Sequence, residues 1–130
     1  RRALEGEAAA ICALGASDEK IEAIGEALAR LEREHAAGDG SAADWNFHQL
    51  IYHSTGNPFF PQIIQSMRDL LHQLWENALA LPDFAEASHP FHRTMFEAIR
   101  RRDPEGARAE AWKLIDSVER EIREAFPNDT

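Results

Sequence analysis

The chain is poor in several residue types, and each shortage excludes a class of protein. It has 130 residues and a single cysteine, so no disulfide can form within it. That residue, Cys12, lies among apolar neighbours and is expected in the core. No apolar run approaches the roughly 20 residues of a membrane-spanning helix, and no signal peptide is visible. We therefore expect a cytoplasmic protein without membrane contact.

Positive charge is also scarce. The 14 Lys and Arg residues are outnumbered by 23 Asp and Glu residues, which gives a formal net charge of −9. An acidic surface repels phosphate backbones, so these residues are not expected to contact DNA. The run Arg100-Arg101-Arg102 falls at a predicted helix end, where cations offset the helix dipole, and indicates a solvated end rather than a nucleic-acid site.

The apolar residues of the chain recur mainly at the spacing of α-helices. β-branched residues are few, whereas Ala, Leu, Glu and Arg are abundant, which favours helix over strand. Apolar periodicity and helix-end residues predict six helices in an all-α, antiparallel helical bundle that forms one domain over 1–130. The fourth helix carries a wide apolar band and is expected to be central and most buried. The predicted helices span about 1–15, 18–36, 41–55, 58–80, 90–102 and 103 onwards.

One group of polar residues points to chemistry. Asp44-Trp-Asn-Phe-His48 places a carboxylate and an imidazole four residues apart, so on a helix both side chains lie on one face. His92 opens a later helix with a similar polar group on an apolar face. An acid and two imidazoles that converge inside a bundle are typical ligands for a divalent metal or a bound acid.

Structural roles compete with this interpretation. Asp44 stands three residues after Ser41, the spacing of a capping box, and so has a possible role at the helix start. A simple hydrogen bond between Asp44 and His48 would also satisfy both groups without a ligand. His92 alone would more often be a satisfied core histidine than a ligand. His89, one turn earlier, is the reserve candidate.

Four motifs follow one another along the chain. They are an opening R-x-x-L-E at Arg1–Glu5, a D-x-x-F-H motif at Asp44–His48, a T-G-N turn at Thr55–Asn57, and the stretch from His92 through Ala98 and Asp103 to Ala107. Taken in this order, they resemble the FCD domain, the C-terminal effector-binding domain of the FadR subfamily of GntR transcriptional regulators. The resemblance covers nearly the whole chain.

The resemblance implies a regulatory role rather than an enzyme. It implies a small organic acid effector, a homodimer, and operator DNA bound only through an N-terminal winged helix-turn-helix that this chain lacks. It also implies a zinc or nickel ion held by Asp44, His48, His92 and a further histidine. Leu114 occupies that fourth position, so we predict weak or absent metal binding. Glu110, one turn earlier, is a possible substitute ligand.

Two further residues are predicted to bind the effector together with the three ligands. A guanidinium grips a carboxylate through two hydrogen bonds, so Arg1 is expected to bind an effector carboxylate. Asn57 is expected to donate a hydrogen bond near the rim of the pocket. Two alternatives stay open: a metal-dependent enzyme that uses Asp44, His48 and His92, and a helical scaffold that binds no ligand.

Overall fold

A computed structural model describes residues 1–127, so the last three residues of the predicted domain lie outside the described part. Within that part the chain is all-α, as predicted, and no strand is present. No helix there is long and apolar enough to cross a membrane. The helices are α1 (Arg2–Gly15), α2 (Asp18–Ala36), α3 (Ser41–His53), α4 (Phe59–Leu70), α5 (His72–Leu79), α6 (Pro90–Arg100) and α7 (Pro104–Ala125).

Local capping chemistry sets several helix ends where the sequence predicts them. Ser17 accepts a hydrogen bond from the backbone N–H of Lys20 at 3.2 Å and starts α2. Asp103 accepts one from the N–H of Gly106 at 3.0 Å, and Pro104 follows as the first residue of α7. These side chains satisfy N–H groups that have no partner inside the helix, so both starts depend on short-range chemistry.

The prediction for the fourth helix is wrong in two respects. Residues 58–80 form two helices, α4 and α5, because the backbone leaves helical geometry at Leu71. They are also not central: only two of the twelve residues of α4 are buried, against seven of fourteen in α1. Leu70 is 85% exposed despite lying in the apolar band. An apolar band shows that a helix can be buried, but neighbouring helices decide whether it is.

The central helix is α1, which packs most extensively against α7 and α6. Its buried face consists largely of alanines together with Cys12 and Gly6. Small side chains let helix axes approach closely, and a Cβ atom on Gly6 would overlap the indole of Trp112 from α7. This close packing leaves α3, α6 and α7 arranged around an internal polar site.

Candidate ligand-binding site

The structure brings the three predicted ligands together. Asp44 and His48 lie one turn apart on α3, and His92 lies in the first turn of α6. Asp44 Oδ1 is 3.2 Å from His48 Nε2, and Asp44 Oδ2 is 3.4 Å from His92 Nε2. The two Nε2 atoms are 3.1 Å apart. We call Asp44, His48 and His92 the histidine cluster.

The structure favours the cluster over the capping role for Asp44. Helix α3 begins after Gly40 and has no side-chain cap hydrogen bond, whereas both Asp44 oxygens face imidazoles. Burial alone would raise the pKa of Asp44, but hydrogen bonds and charge from His48 and His92 hold that pKa well below its usual value. Asp44 is therefore a carboxylate near neutral pH.

A backbone contact orients His92. Its Nδ1 lies 2.9 Å from the carbonyl oxygen of His89, and because a carbonyl can only accept, Nδ1 carries the hydrogen. Burial alone would lower the pKa of His92, yet the hydrogen bond that its protonated ring donates to Asp44 and the charge of that carboxylate outweigh burial and raise the pKa. In its neutral form, His92 therefore presents a bare Nε2 to the cluster, an arrangement common for metal-binding histidines.

The cluster needs a proton or a cation between its members. Two bare Nε2 lone pairs 3.1 Å apart would repel each other, so at least one nitrogen is protonated or both bind a cation. Ligand atoms about 2.1 Å from a shared ion stand roughly 3.0–3.4 Å apart at angles of about 90–109°. The observed separations of 3.1, 3.2 and 3.4 Å fall in that range. The three residues thus lie close enough to hold a metal.

A second buried network adjoins the cluster through α1, and sequence reasoning missed most of it. Glu5 is only 4% exposed, and its carboxylate is bound by Arg1 Nε at 2.6 Å and by the hydroxyl of Tyr52. Glu5 Oε1 also lies 3.9 Å from His48 Nδ1. Burial would raise the pKa of Glu5, but the charges of Arg1 and His48 lower it. Glu5 therefore remains ionised, and it connects Arg1 to the histidine cluster.

The histidine cluster opens onto a cavity of about 390 Å³, within the usual size of small-molecule sites. All three members of the histidine cluster line it, and Arg1 lines it as well. The other walls come from α2, α4, α5 and α7, from the loop before α3, and from the loop between α5 and α6. Leu114 and Val118 of α7 form an apolar part of the wall. The cavity can therefore offer a ligand both charged and apolar surfaces.

A second set of cavity residues contains Arg1, which the sequence analysis predicts as a binding residue, and three residues that it does not predict. The guanidinium of Arg68 on α4 lies 4.0 Å from the ring centroid of Trp45, and that of Arg1 lies 4.8 Å from the ring centroid of Trp75. All four residues line the cavity. We call them the arginine cluster. No single sequence motif marks the whole cluster, because its members come from four separate parts of the chain.

The remaining predicted residues divide between the cavity and the outer surface. Leu114 lies in the wall, as its place in the family pattern implies. Glu110 does not substitute for the missing histidine, because its carboxylate is bound to Thr94 at 2.8 Å and Lys113 at 3.0 Å. Asn57 is exposed and does not line the cavity. Its side chain accepts from the N–H of Phe59 at 3.0 Å and so helps to start α4.

Fold and site together define the class of protein: an all-α domain that encloses a polar cavity of ligand size. Comparison with protein-family models then gives the family. Residues 1–117 match the FCD domain, so the chain belongs to the FCD family, and the resemblance drawn from the motifs is confirmed. The FCD domain is a regulatory domain of GntR-type transcription factors.

A comparison of solved structures supports the same fold. The chain is similar to Streptococcus agalactiae GntR, with a TM-score of 0.78 and 23% sequence identity. The similar region covers 92% of this chain and 55% of that one, so the chain spans about half the length of this relative. A search of curated proteins found no match.

Proposed function

We propose that this domain senses a small organic acid and controls DNA binding by a winged helix-turn-helix in the same regulator. The observation that supports the proposal best is the cavity that joins the histidine cluster to Arg1. An acid needs a cationic partner and a polar group for its remaining oxygens, and these residues offer both. The acidic overall charge is consistent with DNA contact through a separate domain.

Arg1 is the proposed partner of an effector carboxylate. Its Nε is engaged by Glu5, and its face lies against Trp75, which leaves the two terminal nitrogens for a ligand. A guanidinium fixed on two sides loses little further freedom when it binds, and this favours a planar carboxylate.

We also propose that the histidine cluster binds a divalent metal, zinc or nickel, more weakly than a full set of four protein ligands would. Asp44, His48 and His92 would hold the ion, and water or an effector oxygen would complete its shell. When bound, the ion would supply a Lewis-acid contact to the effector. Leu114 adds no ligand to the wall. Elemental analysis and calorimetric zinc titration of the purified domain test this proposal.

Regulation by the effector requires two global states. We propose a homodimer in which the acid favours one arrangement of the two DNA-binding domains, with a coupling free energy of about 1–3 kcal/mol. Sedimentation of the full-length protein at micromolar concentration tests the dimer, and a monomer would contradict it. Operator binding with and without the effector tests the coupling.

Thermal unfolding in the presence of each of a panel of organic acids distinguishes an acid sensor from the two alternatives, a metal-dependent enzyme and a scaffold that binds no ligand. Saturable stabilisation without turnover is expected of a sensor. Turnover of any acid would instead support a metal-dependent enzyme that uses Asp44, His48 and His92. If no acid shifts the midpoint at any zinc concentration, the domain is a scaffold and the proposed function is wrong.

A further inference from the structure

We propose that the effector is a doubly anionic acid and that Arg68 binds its second anionic group. This inference rests on the proposed function, in which Arg1 binds a first carboxylate in the same cavity. It names a second binding residue and narrows the effector to acids with an additional carboxylate or phosphate.

Arg68 differs from the other partly buried arginines in having no anionic partner. In residues 1–127, three arginines are partly buried: Arg1, Arg68 and Arg108. Arg1 pairs with Glu5 at 2.6 Å, and Arg108 pairs with two glutamates. Arg68 makes no ion pair or side-chain hydrogen bond within the described part of the chain. A partly desolvated guanidinium without a counter-ion is unfavourable, so an anionic ligand would gain binding free energy there.

Stacking on Trp45 leaves Arg68 ready for such a ligand. The guanidinium centre is 4.0 Å from the indole centroid, so the interaction occupies one face of the group. The five N–H donors point outward in the guanidinium plane and stay free for an acceptor. The indole thus limits the motion of the cation without satisfying its hydrogen bonds.

Carboxylates line the cavity, but none of those in the described part of the chain forms an ion pair with Arg68. Burial lowers the pKa of Arg68, and the largest opposing contribution comes from Asp44. That carboxylate is already shared between His48 and His92. Arg68 and Arg1 also line a smaller recess beside the main cavity, whose other walls are mainly apolar or aromatic. Two cations in one recess repel each other, and a second anionic group on the ligand would relieve that repulsion.

Three six-carbon acids that differ at one end provide the test. Gluconate carries one carboxylate, glucarate carries a second one at the far end, and 6-phosphogluconate carries a phosphate there. We expect glucarate or 6-phosphogluconate to bind wild type at least about 10-fold more tightly than gluconate in calorimetry. Whichever of the two binds more tightly distinguishes carboxylate from phosphate as the second group.

The variant Arg68→Gln should remove this advantage. Its affinity for the dianionic acid should fall about 10-fold or more, while its affinity for gluconate changes less than about 2-fold. Arg68→Lys, which keeps the charge but loses the planar donors, should retain part of the advantage. Arg33→Gln serves as the matched control, because Arg33 is exposed on α2 and does not line the cavity. Unchanged thermal midpoints of the ligand-free variants confirm folding.

The possible results separate this inference from the function on which it rests. Equal binding of all three acids, or an equal loss of all three in Arg68→Gln, would overturn the role of Arg68 and leave the acid sensor in place. If none of the three acids binds, and the shorter pair 2-hydroxybutyrate and malate also fails, the sensing of hydroxy acids is itself contradicted.

Discussion

The histidine cluster and the arginine cluster of the cavity differ in how their charged groups are compensated. In the histidine cluster, the carboxylate of Asp44 faces two imidazoles within 3.4 Å, so its members satisfy one another. In the arginine cluster, the guanidinium groups of Arg1 and Arg68 rest on indole faces. Arg1 donates one hydrogen bond, to Glu5. The other N–H groups of the two guanidinium groups have no acceptor among the described residues.

This difference has a consequence for binding. The histidine cluster can stay intact without a ligand and exchange a proton for a metal ion. In the arginine cluster, Arg1 pairs with Glu5, but Arg68 has no ion pair among the described residues, so a bound molecule would supply an anion for Arg68. We therefore expect substitutions in the histidine cluster to change metal binding and pH dependence, and substitutions in the arginine cluster to change acid affinity.

The largest effect is expected where α7 faces the histidine cluster. Leu114→His should tighten zinc binding by about 100-fold, roughly 2.7 kcal/mol, because it adds an imidazole to three ligands already in place. Calorimetric titration of wild type and variant measures the change. Leu114→Gln is the control, since it adds polarity without an imidazole. Tight zinc binding by wild type that is unchanged in Leu114→His would mean that another group already completes the shell.

The second prediction concerns Arg1. Arg1→Ala should weaken acid binding about 10-fold and lower the free energy of unfolding by about 2 kcal/mol, because the buried carboxylate of Glu5 would lose its arginine partner. Calorimetry and urea unfolding measure the two effects. Arg2→Ala is a matched control: Arg2 also stacks on an indole and pairs with a carboxylate, but outside the cavity. Equal acid affinity in wild type and Arg1→Ala would rule out the proposed role.

The third prediction is that zinc reverses how the stabilisation contributed by the histidine cluster depends on pH. Because the folded-state pKa of His92 is raised, its protonated form stabilises the metal-free fold below its unfolded pKa of about 6.5, and this contribution is lost as pH rises through the folded pKa. Zinc competes with that proton, so stabilisation by zinc should instead grow as pH rises. Urea unfolding in EDTA and in zinc between about pH 5.5 and 8.5 compares the two slopes.

Asp44→Asn provides the control for this reversal. The amide cannot hold the raised pKa of His92, so the slope in EDTA should flatten, and the free energy of unfolding should fall by about 1 kcal/mol near pH 6. The pKa of Asp44 is lowered in the fold, so its own contribution is present near neutral pH and is lost only in acid. Parallel slopes with and without zinc would contradict exchange of a proton for a metal.

The smallest effect is expected from the tryptophans of the arginine cluster. Trp75→Phe keeps an aromatic face under Arg1 but weakens the cation–π contact, so acid affinity should fall only about 2-fold, roughly 0.5 kcal/mol. Trp112→Phe, beneath Arg2 and outside the cavity, should leave acid affinity unchanged. A loss in Trp75→Phe as large as that in Arg1→Ala would mean that the indole contacts the effector directly.

The histidine cluster was accessible to sequence reasoning, and so was Arg1, whereas Arg68 and its contact with Trp45 were not. Asp44 and His48 share a helix face by their spacing alone, and the family motif adds His92. No residue at helical spacing from Arg68 indicates a binding role for it. An arginine on an amphipathic helix is ordinarily expected to point into solvent. Its role depends on Trp45, which lies on another helix.

Local chemistry in the sequence determined the all-α fold, the starts of α2 and α7 at Ser17 and Asp103, and the pairing of Asp44 with His48, because each depends on residues within about one helical turn. Only the tertiary structure decided that α1 is the central helix, that the 58–80 segment breaks at Leu71, that Arg68 reaches the cavity, and that Glu5 is buried beside His48. These features depend on packing between helices far apart in the chain, where the same apolar or charged face can be buried or exposed.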